Sequence, residues 1–227
     1  MADTLRYEVK MVLDAFFLGE ARSWIYTHTA AFAVAFPPRR VNNVYFDTLD
    51  RQFMIDHIDG VPSRAKIRFR WYGDNWQVTD GQLEIKFKIA RLGRKEVYPF
   101  SGSLDLADCT WRDFNKALAS GLIGPSPGSI FQLEMLHPTL INHYYREYFL
   151  SKDKLIRLTL DYGGIAYEQG FGLKPNLSRP QPSLDTLVIE LKAPKSEHQR
   201  IAEVLSEFPQ RCSANSKYLN ALQYSLW

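Results

Sequence analysis

The sequence predicts an α+β fold on a mostly antiparallel sheet, and two observations carry that reading. Apolar and polar residues alternate in short segments along most of the chain, the period of half-buried strands. A few longer segments instead place apolar residues at helical spacing, between and after the strands rather than in strict alternation with them. Taken in order, strand patterning covers Arg6 to Val12, Val41 to Asp47, Lys66 to Tyr72, Gln82 to Ile89, Tyr144 to Leu150, Leu155 to Tyr162 and Leu187 to Ala193. Helical spacing covers Phe16 to Phe32, Trp111 to Leu122, Glu197 to Phe208 and Ser216 to Leu226. Stretches rich in Gly, Pro, Asn or Ser mark loops at Asp59 to Ser63, Gly73 to Gly81, Gly124 to Ser129 and Gly170 to Ser183.

Composition narrows the class. A chain of 227 residues, 45% hydrophobic and 14% aromatic, can bury a substantial core and is far from a disordered composition. No repeat or long linker divides it, so residues 1–227 are expected to form a single domain. The longest apolar run, Ala30 to Phe36, stops at Pro37 and is shorter than the roughly 20 residues of a membrane helix. The opening MADTLRYEVK lacks a secretory apolar run, and Cys109 and Cys212 have no disulfide-framework or zinc spacing. A cytoplasmic protein is the expectation. The net charge of +3 selects no partner.

The arrangement of charge is more informative. Residues two apart in a strand share a face. Arg68 and Arg70 therefore oppose Ile67, Phe69 and Trp71, while Glu84, Lys86 and Lys88 oppose Leu83, Ile85 and Phe87. The same sorting sets Arg6, Glu8 and Lys10 against Tyr7 and Val9. It sets Arg157, Thr159 and Asp161 against Leu158 and Leu160, and Glu190 and Lys192 against Ile189 and Leu191. Arg146 sits on a face with Tyr144 and Tyr148. One such strand is ordinary for a sheet with a wet face. The set is less so, because Arg68/Arg70 and Lys86/Lys88 are like-charge neighbours about 7 Å apart. Each pair repels by about 0.6 kcal/mol in water and about 2.4 kcal/mol at an effective dielectric near 20. Closed into a barrel, these faces would need an anion or water to offset them. Guanidinium and ammonium groups suit phosphates, and carboxylates among them suit a divalent ion.

Read as motifs, the same residues resemble a family. R-x-E-x-K at Arg6 to Lys10, V-N-N-V-Y-F-D-T at Val41 to Thr48, K-I-R-F-R-W-Y-G at Lys66 to Gly73 and E-I-K-F-K at Glu84 to Lys88 come first. Y-R-E-Y-F at Tyr145 to Phe149, I-R-L-T-L-D at Ile156 to Asp161, V-I-E-L-K at Val188 to Lys192 and N-S-K-Y at Asn215 to Tyr218 follow in order. Together they resemble the VTC domain, the catalytic module of the vacuolar transporter chaperone polyphosphate polymerase, within the triphosphate tunnel metalloenzymes.

The resemblance implies a closed eight-stranded antiparallel β-barrel tunnel with covering helices, which binds ATP and inorganic polyphosphate, transfers the γ-phosphoryl group to the polymer and releases ADP. By motif it assigns phosphate-binding, catalytic roles to Lys10, Arg68, Arg70, Lys86, Arg146, Arg157 and Lys217. Ser216 falls in the closing S-K pair, and Glu190 falls where the family holds Mn²⁺ or Mg²⁺. Lys88 and Lys192 join the substrate-binding set by parity, and Arg6 by its place in the first motif. Arg6 stands where related tunnel hydrolases have the first Glu of E-x-E-x-K, which favours the VTC branch over a hydrolase. The family's SPX and transmembrane regions are not in this sequence. The alternatives are a metal-dependent tripolyphosphatase and a non-catalytic polyphosphate-binding module. Nucleic-acid binding ranks below these, because Trp71 has the wrong parity to stack beside Arg68 and Arg70. All five histidines are expected to be structural or superficial.

Overall fold

The structure, a computed structural model, describes residues 6–89, 92–124, 135–170, 172–181 and 185–208. The strands are β1 (Arg6–Asp14), β2 (Ala33–Asp47), β3 (Ser63–Tyr72), β4 (Gln77–Ile89), β5 (Leu92–Asp105), β6 (His137–Leu150), β7 (Arg157–Glu168) and β8 (Thr186–Pro194). The helices are α1 (Leu18–Thr27), α2 (Gln52–Ile58), α3 (Trp111–Gly121) and α4 (His198–Ser206). The eight strands form one sheet in the order β1-β8-β7-β6-β2-β3-β4-β5, and its recorded ladders are antiparallel. This is the expected α+β class. The strands β1 and β5 end the order, so among the described residues backbone hydrogen bonds do not close the sheet into a ring.

Local chemistry sets the element boundaries. Asp14 accepts from the Phe16 amide at 2.8 Å and caps a short 3-10 turn, which delays α1 past the expected start at Phe16. Thr110 and Asp113 form a reciprocal capping box that starts α3 where the spacing predicts it. The helix α2 was not legible, because its cap lies upstream in a strand: buried Asp47 accepts from the amides of Phe53 at 2.9 Å and Met54 at 3.0 Å. The D-T of the second motif is therefore a structural cap. Strand β5 was also missed, since Gly93, Pro99 and Gly102 read as breakers. The expected loop from Gly73 gives way to β4 at Gln77, with an irregular register between Val78 and Asp80. The expected helix from Ser216 lies outside the described residues.

Contacts divide the chain into two units, through both of which β2, β6 and β7 run. Among the described residues, the first holds the chain up to Arg40, Tyr144–Gly164 and residues 185–208. Its core joins Met11 and Leu13 of β1, Leu158 and Leu160 of β7, and Ile189 and Leu191 of β8 to Ala21 and Ile25 of α1 and Ile201 and Val204 of α4. The second holds Val41–His143 and residues 165–181. There Val44, Phe46, Ile67, Phe69, Trp71, Leu83 and Ile85 pack under Phe114 and Leu118 of α3. Gly81 lets β4 pass Phe69, whose ring lies 2.7 Å from where a Cβ would stand. In both units the apolar strand faces are the ones covered by helices, so the charged parity lies on the other face. Trp71 is wholly buried and cannot stack on a base.

Candidate functional site: two charged strand faces

In the second unit, register sorts the charged face into rows. Lys66 of β3 stands opposite Lys86 of β4, which stands opposite Lys95 of β5. The next row holds Tyr45 of β2, Arg68 and Glu84, and the one after it Asn43, Arg70 and Gln82. Directly opposed residues in such ladders lie roughly 5 Å apart, and like charges there repel. Among the described residues, Glu84 is the counter-charge in contact with Arg68, Arg70 and Lys95. It is 1% exposed and its Oε2 accepts from Arg68 Nε at 2.8 Å and Nη2 at 2.5 Å. Its Oε1 lies 3.4 Å from both Arg70 Nη1 and Lys95 Nζ. Burial opposes the charge on Glu84, but Arg68, Arg70 and Lys95 override it and hold the carboxyl well below the ordinary range. Burial pulls the Lys95 ammonium below its ordinary value, against the attraction of Glu84.

Tyr45 belongs to the same group. Its side chain is 1% exposed, its hydroxyl lies 3.5 Å from Arg68 Nη1, and Lys66 Nζ lies 5.0 Å from its ring centroid. Burial opposes ionisation, yet Lys66, Arg68 and Arg70 bring the phenol down to about 7. Arg70 donates from Nε to Asn43 at 3.1 Å, and Asn43 donates to Asn142 of β6 at 2.9 Å. Parity correctly put Arg68, Arg70, Lys86 and Lys88 on this face, Lys88 being exposed. It missed the pairing: Glu84 binds Arg68 and Arg70 together, so their mutual repulsion is offset inside the protein. Lys66 shares parity with Arg68 and could have been named from it. Lys95 lies on the strand that Gly93 and Pro99 obscured, and nothing local marked it.

The first unit's face is closer to charge balance. One row places Lys10 of β1 opposite Glu190 of β8, and Glu190 opposite Thr159 of β7. The next places Glu8 opposite Lys192, and Lys192 opposite Arg157. Lys10 pairs with Glu8 at 3.1 Å, and Lys192 with Glu190 at 2.9 Å. Arg146 of β6 gives its Nε and Nη2 to the two oxygens of Asp161 at 2.6 and 2.7 Å, and its Nη2 lies 3.9 Å from Glu190. Burial works against the Arg146 charge, but Tyr144, Asp161 and Glu190 raise it well above the ordinary guanidinium value. Arg157 and Arg6 are exposed on the same face. Glu190, expected to hold the metal, is thus engaged with Lys192 and lies near Arg146. Lys217 and Ser216 lie outside the described residues.

A divalent ion fits this face. Among the described residues no three carboxylate, His or Cys side chains gather into a metal cluster. Ions such as Mg²⁺ nevertheless reach phosphate substrates through one or two carboxylates, with phosphate oxygens and water completing the set. Glu190 can be that carboxylate. Opposite it, Thr159 Oγ1 is buried with no hydrogen-bond partner among the described residues.

Comparison with one solved structure, the first named here, agrees on the fold. A Vibrio parahaemolyticus protein assigned as an adenylate cyclase is 14% identical, with a TM-score of 0.50 over 95% of this chain and 96% of its own. A Hippeastrum protein named an adenylyl cyclase, for which a dominant triphosphatase activity is stated, is 17% identical, with a TM-score of 0.48 over 97% of this chain and 96% of its own. A Pyrococcus horikoshii protein is 13% identical, with a TM-score of 0.47 over 97% of this chain and 99% of its own. No curated protein matches the chain. The VTC domain matches residues 5–226, a span that contains every motif from Arg6 to Tyr218. The chain belongs to the VTC domain family.

Proposed function

We propose that this VTC domain is a polyphosphate polymerase: it transfers the γ-phosphoryl group of ATP to the end of a polyphosphate chain and releases ADP. The observation that carries the reading is the Lys66, Lys86 and Lys95 row beside Arg68 and Arg70, a face that among the described residues bears more cations than carboxylates. The unbroken family match supports treating residues 1–227 as one such domain. The free Cys109 thiol agrees with a reducing compartment such as the cytosol.

Phosphoryl transfer depends on positioning and charge neutralisation more than on covalent help. Lys66, Lys86 and Lys95 neutralise phosphate oxygens as point charges, and Arg68 and Arg70, held in place by Glu84 and Asn43, present fixed forks. In the first unit Lys10, Arg157 and Lys192, with exposed Arg6, form a set of cations of their own for phosphate, and exposed Lys88 adds to the set of the second unit. A terminal phosphate oxygen is already anionic, so no general base is needed: its oxygen bonds to the γ-phosphorus as the bond to the β-phosphate oxygen breaks. Glu190 would hold Mn²⁺ or Mg²⁺, which would supply charge neutralisation to the phosphates of the substrate. Ser216 and Lys217 are assigned to substrate on their motif. Incubation with ATP and Mn²⁺ tests the proposal: ADP with long-chain polyphosphate is expected. Free phosphate in place of polymer makes the protein a tripolyphosphatase, and polyphosphate binding without ADP makes it a binding module.

A further inference from the structure

The second unit holds a cavity of about 280 Å³, formed by the end of β2, the first turn of α3, the start of β6 and the loop after β7. It lies on the helix-covered side, away from the charged face. Phe114 of α3, one turn from the cavity, packs on Phe46 and Phe69, whose parity is opposite to that of Tyr45 and Arg68.

Its walls have a distinct chemistry. Arg51, Arg112 and His137 line it, and among the described residues no carboxylate does. Arg51 is fixed by an ion pair with Glu168 at 2.5 Å and sits at a left-handed φ of 59°, a strained backbone for a residue other than glycine. Arg112 and His137 are exposed at the rim. Asn115 also lines the cavity, and its Oδ1 is buried with no hydrogen-bond partner among the described residues. Such an acceptor costs free energy until a donor reaches it. Trp111 supplies a flat apolar wall. A matching ligand combines an oxyanion for Arg112, Arg51 and His137 with a hydroxyl or amine donor for Asn115 and a short carbon body against Trp111. Ligand pockets start at about 300 Å³, which restricts that body to a few carbons.

We propose that this cavity is a second ligand site, separate from the polyphosphate faces, that binds a small hydroxyl-bearing phosphate monoester. Two guanidinium groups and an imidazole suit the three oxygens of a phosphate dianion better than the two of a carboxylate.

Calorimetric titration of the full chain with glycerol 3-phosphate, inorganic phosphate and lactate tests the proposal. Glycerol 3-phosphate should bind more tightly than inorganic phosphate, which lacks the carbon body, and lactate should bind weakest. Arg112→Ala, at an exposed position, should weaken glycerol 3-phosphate about tenfold or more, and Asn115→Ala by a few fold. Arg70→Ala should leave its affinity unchanged, with circular dichroism confirming that each variant is folded. No binding to the wild-type protein overturns the proposal. So does an affinity lost in Arg70→Ala but kept in Arg112→Ala, since the ester would then sit on the charged face.

Discussion

Arg68 and Glu84 stand opposite each other across β3 and β4, and two guanidinium nitrogens of the arginine, at 2.8 and 2.5 Å, meet one carboxylate oxygen. The pair fixes a buried point of a cation-rich face, with Arg70 and Lys95 sharing the same carboxylate. An anion arriving there adds to Glu84 rather than competing for a lone counter-charge.

Glu84→Gln keeps the shape and removes the charge. Arg68, Arg70 and Lys95 then lose the carboxylate they share, and the loss should be about 3 kcal/mol, as for other broken buried pairs. Thermal unfolding at low ionic strength should show it, and tripolyphosphate should restore more of the melting temperature in this variant than it adds to the wild type. High salt should shrink the rescue. A variant as stable as the wild type without anion would show that the face does not carry the excess charge described.

Tyr45 gives the face a spectroscopic reporter. Its folded value of about 7 lies below that of an unfolded tyrosine near 10, so its ionisation adds stability as pH rises from about 7 to about 10. That contribution is lost as pH falls through about 7. Absorbance near 295 nm should report one tyrosine of the 12 titrating near neutrality. The step should vanish in Tyr45→Phe and move upward with tripolyphosphate, which neutralises Lys66, Arg68 and Arg70. A titration unchanged in Tyr45→Phe would contradict the assignment.

Glu190 has two possible partners, a divalent ion or the cations Lys192 and Arg146. Glu190→Gln separates them. Loss of Mn²⁺-dependent ADP formation with tripolyphosphate binding retained without metal identifies the ligand. Full turnover with wild-type metal dependence identifies a counter-ion.

Gly121 ends α3 against Phe100, and a Cβ there would also lie 2.9 Å from the Ser101 carbonyl oxygen. Gly121→Ala should therefore destabilise the second unit by about 1–3 kcal/mol despite the better helix propensity of alanine. Chemical denaturation checks this, and an unchanged or raised midpoint would show that Phe100 moves aside freely.

Strand parity was legible because it is local: alternation alone sorted Arg68 from Phe69 and Glu84 from Ile85, and the structure has them on opposite faces. Two kinds of information were not local. Asp47 caps α2 from the end of a strand, so the helix start carried no signal of its own. Lys95 reaches Glu84 only because β5 pairs with β4, and Pro99 and Gly102 hid that strand. Pairing has the same origin. The sequence reading counted repulsion between Arg68 and Arg70, neighbours along one strand, while the carboxylate that offsets it belongs to the next strand.

The fate of the γ-phosphoryl group tests the central claim most directly. With ATP labelled at that position and Mn²⁺ present, the label should enter long-chain polyphosphate in step with ADP, and Arg68→Ala should stop both. Label released as free phosphate in step with ADP, with none in polymer, would contradict the polymerase.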